Sequence, residues 1–222
     1  MASAPVAAPP LALPDEVVVL PRVSWETYTQ LVDGDEERRV PRLTYDRGVL
    51  ELVSPSPSHE EDAHTLTLLV EFVAAVLGIP LKRLGSTTFR RVDLERGFEP
   101  DGSFYIQQEA QMRGRRDLDL GNDPPPDLVI EVEASRSAID KLALFASMGI
   151  PEVWRMDGES VAIHVLAGDR SANAEASLAV PVLTTEVLTR LLGQSRTLPS
   201  PEWFRAVTEW AVAQRLPTEP EP

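Results

Sequence analysis

With 222 residues, 43% of them hydrophobic and 25% charged, the chain has the size and composition of one globular domain with a substantial core. It contains no cysteine, which excludes disulfides, thiol catalysis and cysteine-ligated zinc; with no apolar run near the ~20 residues of a membrane span and no signal-peptide start, a cytoplasmic protein is expected. A net charge of −14 argues against a protein that coats nucleic acid non-specifically, which needs a basic footprint, and leaves open an enzyme whose acids bind metal and whose few cations gather in one cleft.

Residues 1–15 are Ala- and Pro-rich without periodicity and are expected as a disordered tail. The domain is expected over 16–216, with a second tail over 217–222. Ser24 can cap a short helix on which Trp25, Tyr28, Leu31 and Val32 share a face. Arg42 to Tyr45 and Val49 to Val53 flank Asp46-Arg47-Gly48, which predicts a hairpin. Glu51 sits mid-strand there, an acid where apolar residues are favoured; a solvent-facing strand would explain it equally well. Ser58 is a candidate N-cap for a helix running to about Leu77, with an apolar stripe of Leu66, Leu69, Val70 and Val73 and a stop at Gly78. His59 lies at its start.

Thr87 to Val92 reads as a strand containing Arg90 and Arg91, and Asp101 stands after a proline at the mouth of a strand carrying Phe104, Tyr105 and Ile106. Residues 107–125 are polar and end in three prolines, which predicts a mobile loop; Arg113, Arg115 and Arg116 are its basic cluster. The segment Pro126 to Lys141, PDLVIEVEASRSAIDK, is the most informative. On a strand, Asp127, Val129, Glu131 and Glu133 face one way and Leu128, Ile130 and Val132 the other. An unpaired buried carboxylate costs several kcal/mol, by rough reckoning. A divalent cation, a lysine or water should therefore sit opposite, unless that face simply meets solvent. Ser135 or Ser137 can cap the following helix, about Ala138 to Met148, bringing Lys141 near the strand's end. A second hairpin turns at Asp157-Gly158, Ser177 to Leu183 reads as one more strand, and helices near 185–192 and 201–216 close the chain.

In order, GVLELVSPSPSHE (48–60), FEPDGSFYI (98–106), PDLVIEVEASRSAIDK (126–141) and GIPEVWRMDG (149–158) resemble the PD-(D/E)XK nuclease superfamily, and more narrowly its Uma-type family of restriction-endonuclease-like proteins. The resemblance implies an α/β restriction-endonuclease-like fold: a mixed central sheet flanked by helices, with an N-terminal hairpin and a C-terminal helix. It implies a Mg²⁺- or Mn²⁺-dependent endonuclease acting on nucleic acid, DNA foremost. Asp101 and Glu131 then match the metal-binding acids. The superfamily's strand lysine would stand at 133, where this chain has Glu133, and Lys141 matches a helix lysine in its place. Glu51 and His59 match further family positions, and Glu133 is a third additional candidate.

Phosphodiester hydrolysis gives these residue types their tasks. Carboxylates hold a hard cation, an ammonium steadies developing charge, and Arg90, Arg91, Arg113, Arg115 and Arg116 can hold flanking phosphates. The rival expectation is a catalytically silent relative serving as an interaction or oligomerisation module, which the −14 charge and Glu133 favour; a third is a metal-dependent hydrolase of another substrate. An exposed sheet edge or the last helix would serve a homodimer.

Overall fold

The computed structural model describes residues 14–34, 41–133 and 137–215. In chain order these form β1 (Glu16–Pro21), α1 (Trp25–Asp33), β2 (Arg42–Asp46), β3 (Val49–Ser54), α2 (Pro57–Leu77), β4 (Lys82–Arg83), β5 (Phe89–Arg91), β6 (Arg96–Phe98), β7 (Gly102–Tyr105), α3 (Glu109–Met112), β8 (Leu128–Val132), α4 (Lys141–Ser147), β9 (Glu152–Asp157), β10 (Ser160–Ala167), β11 (Arg170–Ala174), α5 (Thr185–Ser195) and α6 (Ser200–Ala213).

The fold is α/β, and its strands divide between two sheets. One has the order β1-β3-β2-β6-β5; the other runs β11-β10-β9-β8-β7-β4. The second is mixed: β8 and β9 are parallel, joined through α4 as the strand–helix–strand pattern predicts, while β7 is antiparallel to β8. β8 is buried on both faces. Leu128, Ile130 and Val132 enter the main core with Leu66, Leu69, Val70 and Val73 of α2, and with residues of α5 and α6. Val129 enters a second core with Phe89, Phe98, Phe145 and Val153. The polar face of β8 is therefore turned into the protein, which removes the solvent-facing alternative for Glu131.

Several local expectations change. The tails at 1–13 and 217–222 lie outside the described residues, but Asp15 is no part of a free tail: its Oδ1 accepts the Ser56 amide at 2.7 Å. β1 follows it and pairs with β3, Val19 opposite Glu51. The cap of α2 is Ser56, not Ser58; Pro57 then occupies the first turn, where its missing N–H costs nothing. The expected strand at 87–92 shortens to β5. Residues 107–125 are not an open loop. They contain α3, and the Asp127 carboxylate anchors their start by accepting the Ile106 and Gln108 amides at 2.7 and 2.9 Å. The cap of α4 is Asp140, which accepts the Ala143 amide at 3.1 Å; Ser135 is outside the described residues and the Ser137 hydroxyl is spent on Glu51.

Residues 177–183 form turns instead of a strand. The buried Glu152 carboxylate collects the Leu178 and Ala179 amides there, and the strand that follows β10 is β11. Such irregular backbone can be buried only because a side chain satisfies it.

Candidate active site

The register of β7 and β8 brings the two principal acids together. Gly102 pairs with Ile130, so one step further Asp101 stands opposite Glu131, and opposite residues share a face. The Asp101 amide donates to the Ile130 carbonyl at 3.1 Å, and its Oδ2 accepts the Val132 amide at 2.7 Å. Asp101 is thus stitched to the residues on either side of Glu131.

Lys141, the first residue of α4, reaches back to donate to Glu131 Oε1, and its Nζ lies 3.8 Å from Glu51 Oε1. Glu51 is fully buried on β3 and accepts from the Ser137 hydroxyl at 3.1 Å and the Ala138 amide at 2.8 Å. Glu51 therefore ties the first sheet to the segment that delivers Lys141. Burial, reinforced by the Asp101 charge, pushes the Glu131 carboxyl above the usual carboxylate range although Lys141 pulls the other way. For Lys141, burial favours the neutral amine, but the Glu131, Glu51 and Asp101 charges prevail and its pKa is raised, so it is an ammonium.

On the other side of Asp101, Oδ1 is shared by His59 Nε2 at 3.0 Å and by Arg42 Nη1. His59 Nδ1 meets Asp15 Oδ2, also at 3.0 Å. Burial disfavours the imidazolium, yet the two flanking carboxylates outweigh it and raise the His59 pKa to about 9. Both ring nitrogens then donate, and the 3.3 Å approach of Arg42 Nη1 to Nε2 is a like-charge contact and not a hydrogen bond. Burial raises the Asp101 carboxyl, but His59, Arg42 and the Val132 amide more than reverse this and hold it low.

Glu133 stands apart from this cluster. It pairs with Arg155 of β9 at the rim of a cleft of about 400 Å³ that Glu131, Lys141 and Asp140 also line. A larger cavity, about 880 Å³, lies among β10, β11 and α5 and contains none of the site acids. The candidate phosphate-binding cations touch neither Asp101 nor Glu131. Arg90 pairs with Asp33, Arg91 with Asp93, Arg113 with Glu109 and Arg115 with Asp123. Arg116 lines a separate cleft of about 450 Å³ with Lys82, Arg83 and Arg115.

Arg42 and Asp15 are site residues that the sequence reading passed over. Arg42 had a signal: the register pairs Thr44 with Glu51, so Arg42, two residues from Thr44, shares the face of Glu51. Asp15 had none, because its partner His59 is 44 residues away.

Among the described residues no three His, Asp or Glu side chains converge tightly enough to hold an ion alone. Two hard carboxylates are nonetheless what Mg²⁺ uses when water and substrate phosphate complete its shell, so Asp101 and Glu131 fit that ion.

Residues 25–199 match the family model Uma2, described as "Putative restriction endonuclease". The chain belongs to the Uma2 family. The matched span includes Arg42, Glu51, His59, Asp101, Glu131 and Lys141; Asp15 and β1 precede it. Among solved structures, the chain is similar to a "putative nuclease belonging to DUF820" from Anabaena variabilis ATCC 29413, with 16% identity and a TM-score of 0.52 over 77% of this chain and 99% of that one. That likeness is one of fold. No curated protein matches.

Proposed function

We propose that this Uma2 protein is a Mg²⁺- or Mn²⁺-dependent endonuclease that hydrolyses phosphodiester bonds of nucleic acid, with DNA as the expected substrate. Asp101 and Glu131 are the metal ligands and Lys141 is the catalytic cation. The observation that carries the reading is the placement of Asp101 opposite Glu131 with the Lys141 ammonium on Glu131.

A bound divalent ion would supply a Lewis acid and a water of lowered pKa. The protein's own residues do the rest. The β7–β8 ladder fixes the separation of the two carboxylates, and burial keeps them from bulk water. Lys141 has three N–H donors; one meets Glu131, and the others are available to orient a water or a phosphoryl oxygen as charge develops there. Glu51, through Ser137 and Ala138, positions the start of α4 and so positions Lys141. Arg116 and the surrounding basic cleft supply a place for a flanking phosphate. A homodimer would use the edge strand β1, whose Val18, Val19 and Leu20 are exposed.

Calorimetric titration of Mg²⁺ and Mn²⁺ into wild type and Glu131→Ala, without and with a short DNA oligonucleotide, tests the metal role. Uptake lost in the variant, together with Mn²⁺-dependent cleavage lost in Asp101→Ala and slowed in Lys141→Ala, is the expected result. One observation favours the silent-relative reading: Arg42, His59 and Lys141 already neutralise the acids as an internal ion-pair network. No metal uptake, even with oligonucleotide present, would decide for it.

A further inference from the structure

We propose, resting on the reading of Asp101 and Glu131 as metal ligands, that Arg42 is a displaceable counterion. It holds Asp101 before a divalent cation arrives and withdraws onto Glu60 when one binds. Three observations lead there. Arg42 is bifunctional: Nη1 meets Asp101 Oδ1, and Nη2 donates to Glu60 Oε1 at 2.7 Å. The two carboxylates lie at different depths, the Asp101 side chain 3% exposed and that of Glu60 51% exposed, with Arg42 between them at 13%. Finally, Asp101 Oδ1 already has a second partner, His59 Nε2 at 3.0 Å, and that nitrogen lies 3.3 Å from Arg42 Nη1.

A divalent ion taking Asp101 Oδ1 competes with two partners that already occupy that atom, and one of them gives way. His59 is held at both ring nitrogens by carboxylates, at 3.0 Å each, and its amide is fixed by the Ser56 cap. Arg42 has a long arm and a second carboxylate at the surface. It can therefore exchange one ion pair for a closer hold on another, and Asp101 is handed to the metal without leaving a buried charge unpaired.

Mn²⁺ titration calorimetry on the full chain tests this with variants of opposite sign. Arg42→Met removes the competitor and should tighten Mn²⁺ by about tenfold, a change of about 1.4 kcal/mol. Glu60→Gln removes the retreat and should weaken Mn²⁺ severalfold. An Arg42 that merely orients Asp101 would give weaker binding in Arg42→Met; that result, or unchanged affinity, overturns the proposal. Should Arg42→Met fail to fold, Glu60→Gln decides alone, since Glu60 is exposed: unchanged or tighter binding refutes the exchange. Glu131→Ala separates the two levels. If it abolishes uptake while Arg42→Met does not tighten it, only the exchange fails; if no form of the protein takes up Mn²⁺, the metal reading fails and this inference with it.

Discussion

Replacing His59 by Gln should flatten the pH dependence of stability in the metal-free protein. His59 is an imidazolium between Asp15 and Asp101, with a pKa raised from 6.5 to about 9. A group raised in the folded state contributes its full stability below the unfolded pKa and loses it as pH rises through the folded one. The window therefore runs from 6.5 to about 9. At about 1.4 kcal/mol per pH unit the interval corresponds to about 3 kcal/mol. Because the network opens to solvent at Glu60, about 2 kcal/mol is a better expectation.

The assay is urea unfolding with chelator present, at closely spaced pH values from 6 to 10, on wild type and His59→Gln. Wild type should lose that increment across the window. The variant should be less stable than wild type on the acid side and approach it on the alkaline side. The comparison matters because Glu131, also raised, makes stability fall with rising pH in both proteins. Parallel curves for the two proteins would refute the argument: the imidazole would then be neutral, and the two carboxylates would be held by Arg42 and backbone amides alone.

Asp15→Asn should move the alkaline loss to lower pH, since His59 keeps one carboxylate instead of two; the same unfolding series reads the shift. Glu152→Ala strands the buried Trp154 indole N–H and the Leu178 and Ala179 amides, and should cost about 3–5 kcal/mol in chemical unfolding. Glu152→Gln, which retains an acceptor, should cost less. A methyl group on Gly97 would lie 2.2 Å from the Tyr28 hydroxyl and 2.7 Å from its ring, so Gly97→Ala should destabilise by about 2 kcal/mol or more. Tyr28→Phe alone should be nearly neutral, because that hydroxyl is buried with no partner among the described residues, and in the double variant it should recover part of the loss. Thermal melts of the three proteins decide it.

What could be read from the sequence follows the distance over which each contact is specified. The alternation in β8 is local, and it correctly assigns Leu128, Ile130 and Val132 to one core and Glu131 to the other face. The family resemblance names Asp101 and Glu131 as the two acids, but that they stand opposite each other comes from the β7–β8 register and not from the sequence. The division into two sheets is not legible. It depends on β4, β5 and β6, which have only two or three residues each, too few for a periodic signal. The capping errors at Ser58 and in the 135–137 region have a different origin. Each segment offers several residues able to cap, and the choice falls to the one whose neighbours suit the next turn: Ser56 before Pro57, and Asp140 once Ser137 is committed to Glu51.

The same reasoning explains why the electrostatics of the site escape a reading of its acids alone. Glu133 looks like a substituted catalytic lysine in sequence. In space it is an ion pair with Arg155, whose Cα is the register partner of Glu131 on the parallel neighbour strand. The positive charge missing from β8 comes instead from three separate elements, β2, α2 and α4, which bring Arg42, His59 and Lys141 to the acids. Carboxylates buried this deeply need those charges before any metal arrives. On the proposed reading a metal ion has to rearrange that neutralising set, and Arg42 is the member with a second carboxylate at the surface to move to.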